Sequence, residues 1–155
     1  MNTKEGVKGL QLANITKEFE KEARELILDG FKERFGFIDC SLNPDLKNII
    51  GTYSKPGCLF LVGLIENIVV CTGAFTLEAE DTGRIVRMSV NREYRRLGIA
   101  RKMINELESQ AKHLGYKKLV LETNHEWTSA VQFYKKNGYS EERKELSCIH
   151  FLKLL

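Results

Sequence analysis

Apolar residues recur along this chain in two rhythms, and the rhythms alternate. In "TKEFEKEARELILDGFKERF" (16–35), Phe19, Ala23, Leu26, Ile27 and Phe31 fall at steps of three and four, which predicts an amphipathic helix. "VKGLQLANI" (7–15) before it reads as a first strand. "NPDLKNIIGTYSK" (43–55) predicts a short second helix, with Asn43 as N-cap and Pro44 at its first position. "GCLFLVGLI" (57–65) and "IVVCTGAFTLE" (68–78) are β-rich runs joined by Glu66-Asn67, the signature of a hairpin. "RIVRMSV" (84–90) is a further strand. From Ile99, the positions Ala100, Met103, Ile104, Leu107, Ala111 and Leu114 line one helical face, and Gly115 is placed to end that helix in the left-handed conformation. "KKLVLET" (117–123) reads as a strand, "TSAVQFYKKNG" (128–138) as a short helix stopped by glycine, and "YSEERKEL" and "CIHFLKLL" as two closing strands. The order β-α-α-β-β-β-α-β-α-β-β predicts a mixed sheet with helices on both faces.

The length of 155 residues favours one domain over 1–155 with a full core. A net charge of +3 gives no reason to expect a nucleic-acid partner. No apolar run approaches a membrane span, and the polar opening "MNTKEGVKG" is no signal peptide, so a cytoplasmic protein with no membrane partner is expected. The four cysteines, Cys40, Cys58, Cys71 and Cys148, form no CxxC pair. No histidine is read at a zinc-ligand spacing from one, so no metal is expected. Cys58 and Cys71 lie in apolar runs and read as buried thiols.

The stretch "SVNREYRRLGIARKMINEL" (89–107) carries the chemistry. The first turn of a helix has backbone N–H groups without intrahelical partners, and the helix dipole favours an anion there. Gly98 lets a ligand approach the backbone, Ala100 keeps the opening turn small, and Arg95, Arg96 and Arg101 add positive charge. No Gly-Lys-Ser/Thr follows and GxGxxG is absent, so this is neither a P-loop nor a dinucleotide fingerprint. Read by these residues alone, a phosphate cradle and a solvated basic turn stand equally.

Arg95-x-x-Gly98-x-Ala100 resembles the Gln/Arg-x-x-Gly-x-Gly/Ala motif of the GNAT superfamily of N-acetyltransferases. "RMSVNREYRRLGIARKMI", "GYKKLVLET" and "AVQFYKKNGY" resemble that family's fourth strand with its loop and helix, its fifth strand, and its next helix and turn. The close match covers 84–140, and the rest agrees in element order. The resemblance implies an α/β (α+β) fold. Its sheet would be mixed and mostly antiparallel, six- to seven-stranded, with helices on both faces and a splay between strands 4 and 5. It implies acetyl-CoA as cosubstrate, no metal, and direct transfer of the acetyl group to a primary amine.

Position by position, the backbone of Met88, Ser89 and Val90 matches the bulged strand end that pairs with the pantetheine arm, where an amide polarises the thioester carbonyl. Arg95, Arg96, Leu97, Gly98, Ile99 and Ala100 match the pyrophosphate loop, and Arg101 follows with a further charge. Tyr134 matches the tyrosine that protonates the leaving thiolate. Trp127, Ala130, Val131 and Tyr134 fall at i, i+3, i+4 and i+7, which puts Tyr134 on the inward face, where a packed core tyrosine is the plain alternative.

Two positions depart from the family pattern. Arg84 stands where many members carry the glutamate that deprotonates the amine. Glu122, near the end of the fifth strand, is the substitute base, with an exposed strand residue as the alternative; His125 and Glu126 follow as weaker candidates. Trp127 stands where members often place an asparagine, so Asn124 is the candidate for that cofactor contact. The acceptor pocket would be built from "FKERFGFIDCSLNPDLKN" and "SEERKELSCIH", which supply Phe31, Phe35, Phe37 and the acidic Glu141, Glu142 and Glu145. The acceptor is a small-molecule or peptide amine, and a homodimer stays open. A non-catalytic acyl-CoA-binding module is the competing expectation, because the usual base is missing.

Overall fold

The computed structural model describes residues 9–35 and 43–155. Its strands are β1 (Gln11–Asn14), β2 (Leu59–Ile65), β3 (Ile68–Ala79), β4 (Thr82–Val90), β5 (Lys118–Asn124), β6 (Ser140–Lys144) and β7 (Cys148–Leu154). Its α-helices are α1 (Lys17–Phe35), α2 (Ile49–Tyr53), α3 (Ile99–His113) and α4 (Thr128–Lys136). One seven-stranded sheet runs β1-β2-β3-β4-β5-β7-β6. Every neighbouring pair is antiparallel except β4 and β5. The expected mixed, mostly antiparallel sheet is therefore present.

Two apolar layers hold the sheet. Ala23, Leu26 and Ile27 of α1 join Leu46, Ile49 and Tyr53 against Phe60, Val62 and Ala74 on one face. Met103, Ile104, Leu107 and Ala111 of α3 pack on Phe75, Ile85, Leu119 and Leu121 on the other. The i, i+4, i+8 spacing of Met103, Leu107 and Ala111 makes that stripe, and all three are fully buried. After α3, Gly115 takes φ +96°, and the Tyr116 N–H reaches back to the Ala111 carbonyl at 3.0 Å. That is the glycine-dependent stop read from the sequence. Glu66 and Asn67 adopt φ 50° and 62°, the two positive angles a two-residue hairpin of this twist requires.

The expected helix over 43–55 is corrected to two pieces. Pro44–Lys47 is a 3-10 turn whose Asn43 makes no side-chain cap. The cap is Asn48, whose Oδ1 accepts from the Gly51 N–H at 2.9 Å to start α2. Asn48 sits at φ −146°, so it leaves the helical path and restarts it. The first strand is also shorter than the expected 7–15. Phe37 and Cys40, and the side chain of Phe35, lie outside the described residues.

Candidate active site

The geometry of the site begins with a fault in β4. Thr72 pairs with Ser89 and Ala74 with Val86, so Arg87 and Met88 together oppose the single residue Gly73. This is a β-bulge. Arg87 carries its strain at φ +57°, a region that costs an arginine roughly 1–3 kcal/mol. Three contacts hold it there. Thr72 Oγ1 donates to the Arg87 carbonyl at 2.7 Å. The Arg87 guanidinium grips Asp45 with two bonds of 2.9 and 2.6 Å. Tyr53 Oη donates to the same carboxylate at 2.7 Å. Burial works against the Asp45 charge, but the bonds from Arg87 and Tyr53 outweigh it and hold its pKa below the usual value.

Beyond the bulge the sheet opens. β4 and β5 pair only over Thr82–Arg84 against Lys118–Val120. Past that point β5 stays bonded to β7 as far as Asn124, while β4 stays bonded to β3. The β5-facing edge of Met88–Val90 thus borders a V-shaped gap, the splay expected between strands 4 and 5.

At the mouth of the V, Asn91 caps a short 3-10 turn (Arg92–Tyr94) by accepting from the Glu93 N–H at 2.9 Å. Arg96 follows at φ 63° and Gly98 at φ 81°, and α3 starts at once. Lys102 N–H bonds to the Gly98 carbonyl at 3.2 Å as the first rung of the helix. The amides of Ile99, Ala100 and Arg101 precede that rung and are free of it. No acidic residue lies in the first turn of α3. A cavity of about 350 Å³ opens here, lined by Val90, Tyr94, Arg95, Arg96, Gly98, Ile99, Ala100 and Arg101, with Phe133, Lys136 and Asn137 from the α4 side. Leu97 instead packs on the core, and Met88 does so beside it. Ser89 lines a second hollow of about 570 Å³, between β4 and α1, with Gly30 and Glu33.

Arg95 is not a free cation. It forms a two-pronged ion pair with Glu33 at the end of α1, at 2.8 and 2.9 Å, and its Nε reaches the Val90 carbonyl at 3.3 Å. The Arg95 hydrogen bonds hold the Glu33 carboxyl below its ordinary range. The next residue, Arg34, lays its guanidinium over the Trp127 ring at 4.2 Å. The last turn of α1 therefore touches both the loop and the start of α4. Sequence reasoning missed this brace, because nothing in the pattern of 16–35 tells where its end points.

Tyr134 is buried on α4, with ring neighbours Phe133, Tyr139 and Phe151 at 5.2, 5.7 and 6.2 Å. Burial pushes its pKa up to about 12, and the Arg34 charge pulls slightly the other way. Glu122 lies two residues past the last β4–β5 pair, exposed, directly opposite His150 on β7. Arg84 is paired to Glu78 at 2.8 and 3.0 Å. Asn124 has its carboxamide oxygen occupied by the Glu126 N–H at 2.9 Å, so it shapes the turn after β5, while Asn137 is the asparagine that lines the cavity. His125 and Glu126 are exposed on that turn.

A mixed sheet opened between two parallel strands, with a glycine-started helix at the mouth of the gap, defines the fold class. The description "Acetyltransferase (GNAT) family" matches residues 16–139, and the chain belongs to that family. A curated relative, "Probable N-acetyltransferase 14" of Xenopus tropicalis, is 33% identical over 100 residues, covering 63% of this chain and 48% of that protein. The chain thus spans about half the length of the curated relatives it matches. In fold it is similar to a GNAT-family acetyltransferase of Staphylococcus aureus, with a TM-score of 0.86 at 24% identity over 94% of this chain and 99% of that one. It is similar also to the paia N-acetyltransferase of Thermoplasma acidophilum solved with coenzyme A, with a TM-score of 0.81 at 16% identity over 94% and 99%. Among the described residues no helix is long and apolar enough to cross a membrane.

Proposed function

We propose that residues 1–155 form one acetyl-CoA-dependent N-acetyltransferase domain, which moves the acetyl group by direct attack of a primary amine on a small molecule or peptide. The observation that carries this reading is the open β4–β5 edge leading straight to the Gly98 helix start. The backbone of Met88, Ser89 and Val90 takes the pantetheine arm as an added strand. The amides from Gly98 to Arg101 take the pyrophosphate, with Arg96 and Arg101 supplying charge. Arg95, which lines the same cavity, shapes that loop through its ion pair with Glu33 and adds its charge to the phosphate site.

Glu122 accepts the proton of the incoming ammonium. The amine nitrogen then bonds to the acetyl carbon, and a β4 amide steadies the negative charge that grows on the carbonyl oxygen. The carbon–sulfur bond breaks, and Tyr134 Oη gives its proton to the sulfur. The second proton, shed by the nitrogen as the amide forms, passes through solvent and restores the phenol. A phenol held near pKa 12 keeps its proton at neutral pH, as a donor must. The free thiols Cys58, Cys71 and Cys148 fit a reducing, cytoplasmic compartment.

The test is thiol release from acetyl-CoA with a panel of amines, alongside calorimetry with coenzyme A. Amine-dependent release supports the enzyme. Tight coenzyme A binding with no release for any amine would favour the non-catalytic binding module, and no binding at all would overturn both.

A further inference from the structure

We propose that Glu122, Cys148 and His150, with Glu145 at their open side, form a binding site for a zinc-type divalent metal ion. The sequence reading expected no metal, because it found no histidine at a ligand spacing from a cysteine. Cys148 and His150 are two apart on β7, so both side chains leave the same face of the sheet. Register places Glu122 of β5 opposite His150. The β6–β7 turn brings Glu145 back, with its N–H bonded to the Cys148 carbonyl at 2.9 Å.

The distances between the potential ligand atoms decide what fits. Cys148 Sγ lies 3.5 Å from His150 Nε2 and 3.9 Å from Glu122 Oε2. His150 Nε2 lies 3.7 Å from Glu122 Oε2 and 3.4 Å from Glu145 Oε1. Glu145 Oε2 is 4.0 Å from the sulfur. A tetrahedral zinc with bonds of about 2.0–2.3 Å separates its ligands by about 3.3–3.8 Å. The ligand atoms of Glu122, Cys148 and His150 already lie within 4.8 Å of one another, at close to that spacing. One sulfur, one imidazole and carboxylate oxygens suit zinc and its neighbours over magnesium or calcium, which want oxygen alone.

The site is also built to be entered. His150 is only 9% exposed and fixed by its packing, while the two carboxylates reach solvent. Binding releases the thiol proton to solvent as the metal–sulfur bond forms. Arg143, whose Nε lies 3.3 Å from Glu145 Oε1, gives up that contact to the ion.

The experiment is a cobalt(II) titration of the whole chelator-treated chain, followed by displacement with zinc. One equivalent should bind, with a near-ultraviolet thiolate-to-cobalt band and the intense visible bands of a tetrahedral site. Cys148→Ser should lose the near-ultraviolet band, while Cys58→Ser keeps it. Glu145→Gln, an exposed change that leaves folding intact by circular dichroism, should weaken binding by at least the roughly 10–100-fold that even outer partners of a metal supply. A band that survives Cys148→Ser, or several weak equivalents with no band, overturns the site. The ion and the incoming ammonium compete for the Glu122 carboxylate, so Glu122 serves as base only in the metal-free state. Binding is read without turnover, so failure here leaves the transferase reading standing.

Discussion

Replacing Asp45 with asparagine tests what holds the bulge. The change keeps the size of the side chain and removes its charge. The parent carboxylate takes two bonds from Arg87 and one from Tyr53, with the Arg87 and Asp45 side chains 17% and 18% exposed. Breaking a fully buried pair costs about 3–5 kcal/mol, and an exposed one about 0–1. At this exposure the expected loss is about 2–3 kcal/mol, or a melting temperature lower by roughly 4–12 °C for a chain this long. That loss matches the roughly 1–3 kcal/mol of left-handed strain at Arg87. The bulge should therefore relax, and coenzyme A affinity should fall with the melting point. The sign in pH is fixed by the lowered Asp45 pKa. Its stabilisation is full above the unfolded value near 3.8 and is lost as pH falls through the folded one, so the gap between parent and variant closes in acid. Glu78→Gln is the control, since the Arg84–Glu78 pair is more exposed, at 27% and 42%, and should cost under about 1 kcal/mol. A melting point for Asp45→Asn within 1 °C or so of the parent would refute the argument. Destabilisation with unchanged coenzyme A affinity would show that the bulge does not depend on the pair.

Gly98→Glu places a side chain at φ 81° and a like charge against the phosphate site. Calorimetry should show a sharp fall in coenzyme A affinity in a protein that still folds. Tyr134→Phe keeps the ring contacts, so affinity should hold while kcat drops by about 10²–10⁴-fold, and a full rate with chemistry rate-limiting would make Tyr134 a core residue only. Glu122→Gln should lose rate mainly at neutral pH and recover at high pH, where more of the amine is already deprotonated. A pH–rate profile that follows the parent throughout would remove Glu122 as the base.

What could be read from sequence was what local chemistry writes. Glu66-Asn67 announced a hairpin because it is a polar pair between two β-rich apolar runs, and asparagine tolerates positive φ. The α3 start announced itself through Gly98 and the apolar stripe behind it. Asn48 did not, because Asn43 and Pro44 offered an equally good local signal, and only the packing of Leu46 and Ile49 selects the second cap. The bulge was expected only through the family resemblance, since Arg87 and Met88 look like any strand pair until their partners are known. The metal-ligand cluster needed the β5–β7 register, which sets Glu122 against His150 and which no pattern within either strand contains. The Glu33–Arg95 pair joins residues 62 apart in sequence.

The short β4–β5 pairing has a thermodynamic consequence. Within the sheet, three residue pairs form the whole spine between a four-stranded leaf and a three-stranded one. A guest that adds main-chain bonds along the open margin lengthens that spine, so occupancy and mechanical integrity become one quantity. From Leu121 to Asn124, β5 is paired on one side with β7, and a guest strand would shelter the margin on the other. On the proposed reading, the cosubstrate would close the two leaves it lies between, above their three sewn pairs.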